Sequence, residues 1–218
     1  MTRLFFIRHG KTEWNLEGRY QGAQGGDSPL LQESYTEISQ LAVYLRQYQF
    51  EALYSSPIKR ALTTAQQLSE KLPQQLPVQP ETALREFNLG KMEGMKFTEV
   101  ARLYPAELAA FGKHADLYDP TIIKGETFPQ VFERMTPAIQ KIVRLHPKGD
   151  VLLVSHGAAL CAEIRHLLGY SLKELRANGG LANTSTTILE THDGKNFTCL
   201  AWNKTDYLKR KLDATDIV

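Results

Sequence analysis

Three short apolar runs in this 218-residue chain end in the same way, and that repetition restricts what it can fold into. Leu4–Ile7 leads into Arg8-His9-Gly10, Ala52–Tyr54 into Ser55-Ser56-Pro57-Ile58-Lys59-Arg60, and Asp150–Ser155 into His156-Gly157. Each run has the length and make-up of a buried strand, and the last two lead into helical patterns. After Pro57, apolar or small residues recur at Ile58, Ala61, Leu62, Ala65, Leu68 and Leu72. Strand, polar residue and helix form the repeating unit of α/β proteins, whose ligands bind beyond the carboxyl ends of the strands. Parallel strands would bring Arg8, His9, Arg60 and His156 to one edge of a sheet.

The residue types at those strand ends suit an anion. Arginine offers a planar fork of donors that fits phosphate. Histidine offers a nitrogen nucleophile near neutral pH. Gly10 lacks the side chain that would stop a backbone from closing on a ligand. Ser56 reads as an N-cap and Pro57 as the first helical residue, which puts Arg60 in the first turn. A cation there opposes the helix dipole unless an anion lies beside it. Any one of these features occurs as ordinary strand-and-loop structure, but together they point to one phosphate-sized site.

The pieces IRHGKTEWN, YSSPIKRALTTAQ, LREFNLGKMEG, VSHG, NTSTTILE and WNKTDYL follow one another along almost the whole chain. In content and order they resemble the histidine phosphatase superfamily, the phosphoglycerate mutase-like family. The resemblance implies that His9 is the nucleophile that takes the phosphoryl group. Arg8, Arg60 and His156 would bind the phosphate oxygens, with Asn15 and Gln21 supporting the pocket. Glu86 matches the proton donor, and the backbone N–H of Gly157 or Ala158 would add a contact at a helix start. No metal and no cofactor are implied.

The chemistry asks for such a set. Phosphate monoesters are among the slowest compounds to hydrolyse unaided, and positioning with charge stabilisation supplies most of the catalysis. Two arginines and a protonated histidine can do this without a metal. His9 must be neutral to attack; Arg8 and Arg60 favour that form and bound phosphate opposes them. A carboxylic acid can protonate the leaving oxygen and then take a proton from the hydrolytic water. Glu13, Glu33 and Glu93 read instead as surface or helix-end charges.

Two departures from the family pattern stand out. Ser28-Pro29-Leu30-Leu31-Gln32-Glu33-Ser34 has Leu31 for the usual Thr and Ser34 for the usual Gly, which bears on how the next helix begins. Cys161 stands where many relatives carry Arg or another polar residue. The stretch after Glu86 lacks the Arg- and Tyr-rich insert of the mutases, so the resemblance favours the phosphatase branch. Lys91–Lys124 reads as a lid, in which Phe97, Tyr104, Phe111 and Tyr118 form a small satellite core more readily than a pocket wall. Thr127-Phe128-Pro129-Gln130 fits a capping box.

The reading is therefore a phosphomonoesterase acting on a small phosphorylated metabolite. The alternatives are a cofactor-dependent phosphoglycerate mutase and a non-catalytic phospholigand-binding regulator. A net charge of +2 excludes a nucleic-acid argument, and no apolar run is long enough to span a membrane. A strand begins at the first residues, leaving no signal peptide, and two cysteines make no disulfide framework, so a cytoplasmic setting is expected. His114, His146, His166 and His192 show no metal-ligand spacing. A homodimer is left open. The expected fold is a single domain, residues 1–218, in three α/β/α layers. Its central sheet is mostly parallel with one antiparallel edge strand, and a small helical lid is inserted near residues 91–126. Strands are expected near Thr2–Ile7, Ala52–Ser55, Val78–Pro80, Val151–Ser155, Thr184–Glu190 and Phe197–Trp202, the last pair joined by a turn at Asp193-Gly194. Helices are expected near Tyr35–Tyr48, Pro57–Leu72, Thr98–Phe111, Phe128–Leu145 and Ala158–Leu168.

Overall fold

All six expected strands form one sheet in the computed structural model, which describes residues 1–24, 28–176 and 179–217. They are β1 (Thr2–Arg8), β2 (Phe50–Ser55), β3 (Val78–Pro80), β4 (Asp150–Ser155), β5 (Thr186–Thr191) and β6 (Phe197–Lys204), in the order β3-β2-β4-β1-β5-β6. The pairs β1–β4, β2–β4 and β2–β3 are parallel, so β1, β2 and β4 present their carboxyl ends along one edge. Strand β5 runs antiparallel to both β1 and β6 and gives the sheet its antiparallel side. A turn through Asp193-Gly194 joins β5 to β6, with Gly194 at φ +72°.

Burial on both faces explains the continuous apolar runs. Phe5, Ile7, Leu152 and Val154 face α2 (Gln32–Leu45) and α3 (Lys59–Lys71), which supply Ile38, Leu41, Ala65 and Leu68. Leu4, Phe6, Val151 and Leu153 face α6 (Phe128–Leu145) and α7 (Gly157–Leu167), which supply Met135, Ile139, Leu160 and Ile164. These are the three expected layers. The remaining helices are α1 (Glu13–Leu16), α4 (Phe97–Leu103) and α5 (Pro105–Lys113).

Several boundaries differ from expectation for local reasons. Helix α3 begins at Lys59 with Ile58 as N-cap, not Ser56; the Ser56 hydroxyl accepts from the Ile58 N–H just ahead of the helix. Arg60 still falls in the first turn. Helix α2 begins at Gln32, three residues before Tyr35, on Leu31, which offers no capping side chain. Ser34 compensates by donating from its hydroxyl to the Lys11 carbonyl at 2.7 Å, tying α2 to the loop after β1. The expected helix over Thr98–Phe111 is two helices, because Pro105 drives Tyr104 out of the helical region to φ −133°, ψ 53°. Strand β5 starts two residues late because Thr184 sits at φ +59°, a conformation no strand can continue through. The capping box at Thr127 forms as read, with its hydroxyl accepting from Gln130 N–H.

Residues 90–126 carry α4 and α5 over the carboxyl edge of the sheet. Their two ends meet at Gly90, whose φ of +54° and contact with the Ile123 carbonyl leave no room for a Cβ. Phe111 and Tyr118 join Phe87 and Phe128 in an edge-to-face cluster continuous with the α6–α7 core. Each such contact adds about 0.5–1.5 kcal/mol beyond area burial. Tyr104 packs partly buried against the same core, as a satellite position should. Phe97 does not; it is 37% exposed and lines the cleft described next.

Candidate active site

The carboxyl ends of β1 and β4 and the first turn of α3 bring Arg8, His9, Arg60 and His156 together beneath a cleft. All four are essentially buried, between 0% and 3% exposed. The His9 and His156 rings lie 5.3 Å apart. His9 Nδ1 lies 2.8 Å from the Gly10 carbonyl, which fixes the tautomer: Nδ1 carries the proton and Nε2 the lone pair. Arg60 Nε donates to that Nε2 at 3.3 Å, and Arg60 Nη2 donates to the Gly22 carbonyl. Burial, then the charges of Arg60 and Arg8, hold His9 well below the ordinary imidazole range. His156 is held down by burial first, then by Arg60 and His9. Both rings are therefore neutral in the free protein at neutral pH; His156 would become a cation only with an anion beside it.

Arg8 is locked. Its Nη1 donates to the carbonyls of Leu181 and Asp216, both at 2.6 Å. Asp216 is held in turn by Arg210 through two bonds at 2.6 and 2.7 Å and by Lys11 at 3.2 Å, with its carboxylate fully buried. Arg8 Nε and His156 Nδ1 are buried with no hydrogen-bond partner in the protein. A guanidinium N–H left unpaired beside a cleft is costly unless a ligand accepts from it. Gly157 lies against Arg8; a Cβ there would stand 2.9 Å from Arg8 Nε.

Glu86 takes a position that sequence reasoning gave to the ligand. Its carboxylate accepts from the backbone N–H groups of Phe87 at 2.9 Å, Ala158 at 3.1 Å and Ala159 at 2.7 Å. The Ala158 N–H, expected to reach a phosphate, is thus already engaged, and Glu86 serves as the anion at the start of α7. Arg134 stabilises this loop by donating to the Ala83, Arg85 and Glu86 carbonyls while paired with Glu126. Gly157 and Ala158 line the cleft together with Arg8, His9, Asn15, Gln21 and Glu86, around about 410 Å³ of empty space open to solvent. Asn15 and Gln21 meet at Thr12: the Asn15 side-chain oxygen accepts from Thr12 N–H at 3.0 Å, and the Thr12 hydroxyl lies 3.0 Å from the Gln21 side-chain oxygen.

The other carboxylates are elsewhere. Glu93 accepts from the N–H groups of Ala23, Gln24 and Leu89 and pins the loop carrying Gly22. Glu13 and Glu33 sit in the first turns of α1 and α2. Sequence reasoning missed four supports of the site. Ser56 bonds His156 Nε2 at 2.7 Å, and Thr64 accepts from Gly10 N–H at 3.0 Å. Asn183 donates to the His9 carbonyl, and Asp216 holds Arg8. Ser56, Thr64 and Asn183 lie inside the quoted motifs, but the burial that gives them this work is tertiary; Asp216 carried no sequence signal. Among the described residues, no three His, Cys, Asp or Glu side chains gather as a metal site.

The profile of the histidine phosphatase superfamily (branch 1) matches residues 4–205. Among characterised relatives, glucosyl-3-phosphoglycerate phosphatase of Mycobacterium tuberculosis is 30% identical over 216 residues, covering 92% of this chain and 91% of that protein. Metal-independent phosphoserine phosphatase of Arabidopsis thaliana is 30% identical over 199 residues, covering 89% of this chain and 79% of that one. Among solved structures, Bacillus stearothermophilus YhfR superposes with a TM-score of 0.87 at 32% identity, covering 96% of this chain and all of that one.

Proposed function

The chain belongs to the histidine phosphatase superfamily and is a phosphatase of it; from that premise we propose that it hydrolyses small phosphorylated metabolites through a phosphohistidine on His9. The fixed tautomer of His9 carries this reading, because the Gly10 carbonyl holds the proton on Nδ1 and leaves the Nε2 lone pair at the cleft floor. Nε2 attacks phosphorus as the bond to the ester oxygen breaks. Glu86, an anion while the cleft is empty, takes up the proton of a substrate monoanion and passes it to that oxygen as the alcohol leaves. Water then attacks the phosphorus, Glu86 takes the water's proton, the N–P bond breaks, and inorganic phosphate departs with that proton, leaving Glu86 an anion again. Arg8, Arg60 and His156 hold the phosphoryl oxygens throughout, with Asn15, Gln21 and Gly157 shaping the pocket. Phosphate replaces His9 Nε2 as the acceptor for Arg60 Nε, which releases the lone pair for attack.

Burial and the two arginines keep His9 neutral well into the acid range. This supports assignment to the acid-type histidine phosphatases. The narrow cleft supports a small substrate. Among the described residues no helix is long and apolar enough to cross a membrane, and Cys161 and Cys199 are both free thiols, which supports a cytoplasmic setting.

The test combines trapping with turnover. Rapid quench with a labelled monoester should leave acid-labile, alkali-stable phosphate on the wild type and none on His9→Ala, which should still bind phosphate. The wild type should release inorganic phosphate from simple esters. It should interconvert 2- and 3-phosphoglycerate poorly, with or without a bisphosphate primer. An active His9→Ala enzyme overturns the nucleophile, and efficient primed interconversion without hydrolysis makes the protein a mutase.

A further inference from the structure

A second cavity opens beside the reaction cleft and shares Tyr20, Phe97 and Phe111 with it. It encloses about 780 Å³ of empty space, including the part open to solvent, and Leu108, Gly112, Arg176, Gly179 and Gly180 complete its walls. The lining side chains are mostly apolar or aromatic, and the guanidinium is the one charged group among them. Arg176 donates from Nε to the Phe111 carbonyl at 2.9 Å, and its flat face lies 4.6 Å from the Phe111 ring centre. The Phe128 ring lies 5.7 Å from it as well, so these contacts account for one nitrogen and for the faces of the guanidinium, not for its outer edge. Among the described residues, Nη1 and Nη2 find no hydrogen-bond acceptor and no carboxylate lies within ion-pair distance. Burial lowers the Arg176 pKa, opposed by Cys161 and Glu86, yet arginine keeps its proton under all ordinary conditions. Arg176 is half-buried and lines the cavity, where a bound carboxylate would give its free edge a charge-assisted partner.

We propose that Arg176 forms a carboxylate subsite for the alcohol half of the substrate, in the cavity that Tyr20, Phe97 and Phe111 join to the reaction cleft. The inference rests on the phosphatase reading and narrows its substrate to monoesters whose alcohol is an apolar or aromatic body bearing a carboxylate. Three arguments fix this chemistry. The free edge of the guanidinium offers two parallel donors, the geometry that a carboxylate accepts. One cation in an apolar cavity balances a monoanion, whereas a second phosphate dianion would remain half compensated. The aromatic rings between the two sites need an apolar spacer, since a polar one would lose its water without replacement bonds. Arg176 would thus determine specificity without touching the reacting atoms.

The experiment compares para-(2-carboxyethyl)phenyl phosphate with its primary amide. The two have the same shape and nearly the same leaving group, so their ratio isolates the charge. A charge-assisted pair of hydrogen bonds should raise kcat/KM for the acid about 10- to 100-fold over the amide. In Arg176→Gln that ratio should collapse to near unity while amide turnover persists. Arg176→Lys should restore part of it. Because the ratio is taken within each variant, partial loss of folded protein cancels. Equal efficiency on acid and amide in the wild type, or a ratio unchanged in Arg176→Gln, overturns the subsite. A stronger preference for the matching phosphonate overturns the monoanion. Hydrolysis of neither ester topples the phosphatase reading and this inference with it, whereas hydrolysis of both without preference topples this inference alone.

Discussion

Replacing Glu86 by glutamine separates its structural role from the proton-donor role proposed above. The carboxylate accepts three backbone N–H groups, two on one oxygen and one on the other. Glutamine has one acceptor oxygen. If that oxygen keeps Phe87 and Ala159, the new NH₂ faces the Ala158 N–H, donor against donor. The variant therefore loses a charge-assisted bond, strands a buried N–H and removes the anion from the start of α7. Together these cost about 2–4 kcal/mol. For a chain of this length that lowers the melting temperature by roughly 5–15 °C. The catalytic job is read separately, by single-turnover formation of the phosphoenzyme. A proton donor contributes about 10²–10⁴ in rate where the leaving group needs the proton. Glu86→Gln should slow phosphorylation that much with an alkyl phosphate and far less with p-nitrophenyl phosphate, whose phenolate hardly needs one. Equal slowing with both esters would refute the donor role and leave Glu86 as a helix cap. An unchanged melting temperature would refute the cap.

Three further outcomes follow from the site. Gly157→Ala places a methyl 2.9 Å from the Nε of an arginine that two carbonyls hold in place, so the guanidinium or the helix start must shift and phosphate affinity should fall about 10- to 100-fold; unchanged phosphate inhibition would refute the close fit. His9 and His156 have folded pKa values well below their unfolded value, so the stability tied to their neutral forms is present above about pH 6.5 and lost as pH falls toward the folded values. Denaturant titrations should show stability falling by up to about 1.4 kcal/mol per pH unit for each ring, with His9→Ala removing roughly half of that slope; an identical slope in the variant would mean that His9 is not held neutral. Hydrolysis should survive exhaustive chelation, since two arginines and two histidines oppose the phosphate charge; loss of activity that a divalent ion restores would require a different site.

The layers and the strand-end residues were legible because both rest on local pattern. Leu4–Ile7 and Val151–Val154 are apolar without interruption, as strands covered on both faces must be; the first leads straight into Arg8 and His9 at the cleft, and the second leads through Ser155 to His156 beneath it. Helix boundaries were less legible where one residue overrides periodicity. Pro105 divides α4 from α5, and the left-handed turn at Thr184 delays β5. The supports of the site were hidden because they depend on contacts between distant segments. Nothing local marks Asn183 as the donor to the His9 carbonyl, or Glu86 as the cap of a helix that begins some seventy residues later. Arg176 was invisible for the same reason: its meaning lies in the cavity it lines, which residues distant in sequence build.

The lock on Arg8 also ties the floor of the cleft to chain closure. One of the two carbonyls that fix its guanidinium belongs to Asp216, 208 positions later. Its strand is likewise enclosed by partners remote in sequence, since β1 pairs with β4 and β5. Contacts of such separation require long loops to close before they contribute, so they form slowly. The direction in which this guanidinium points is thus a property of the assembled fold and not of the strand that carries it.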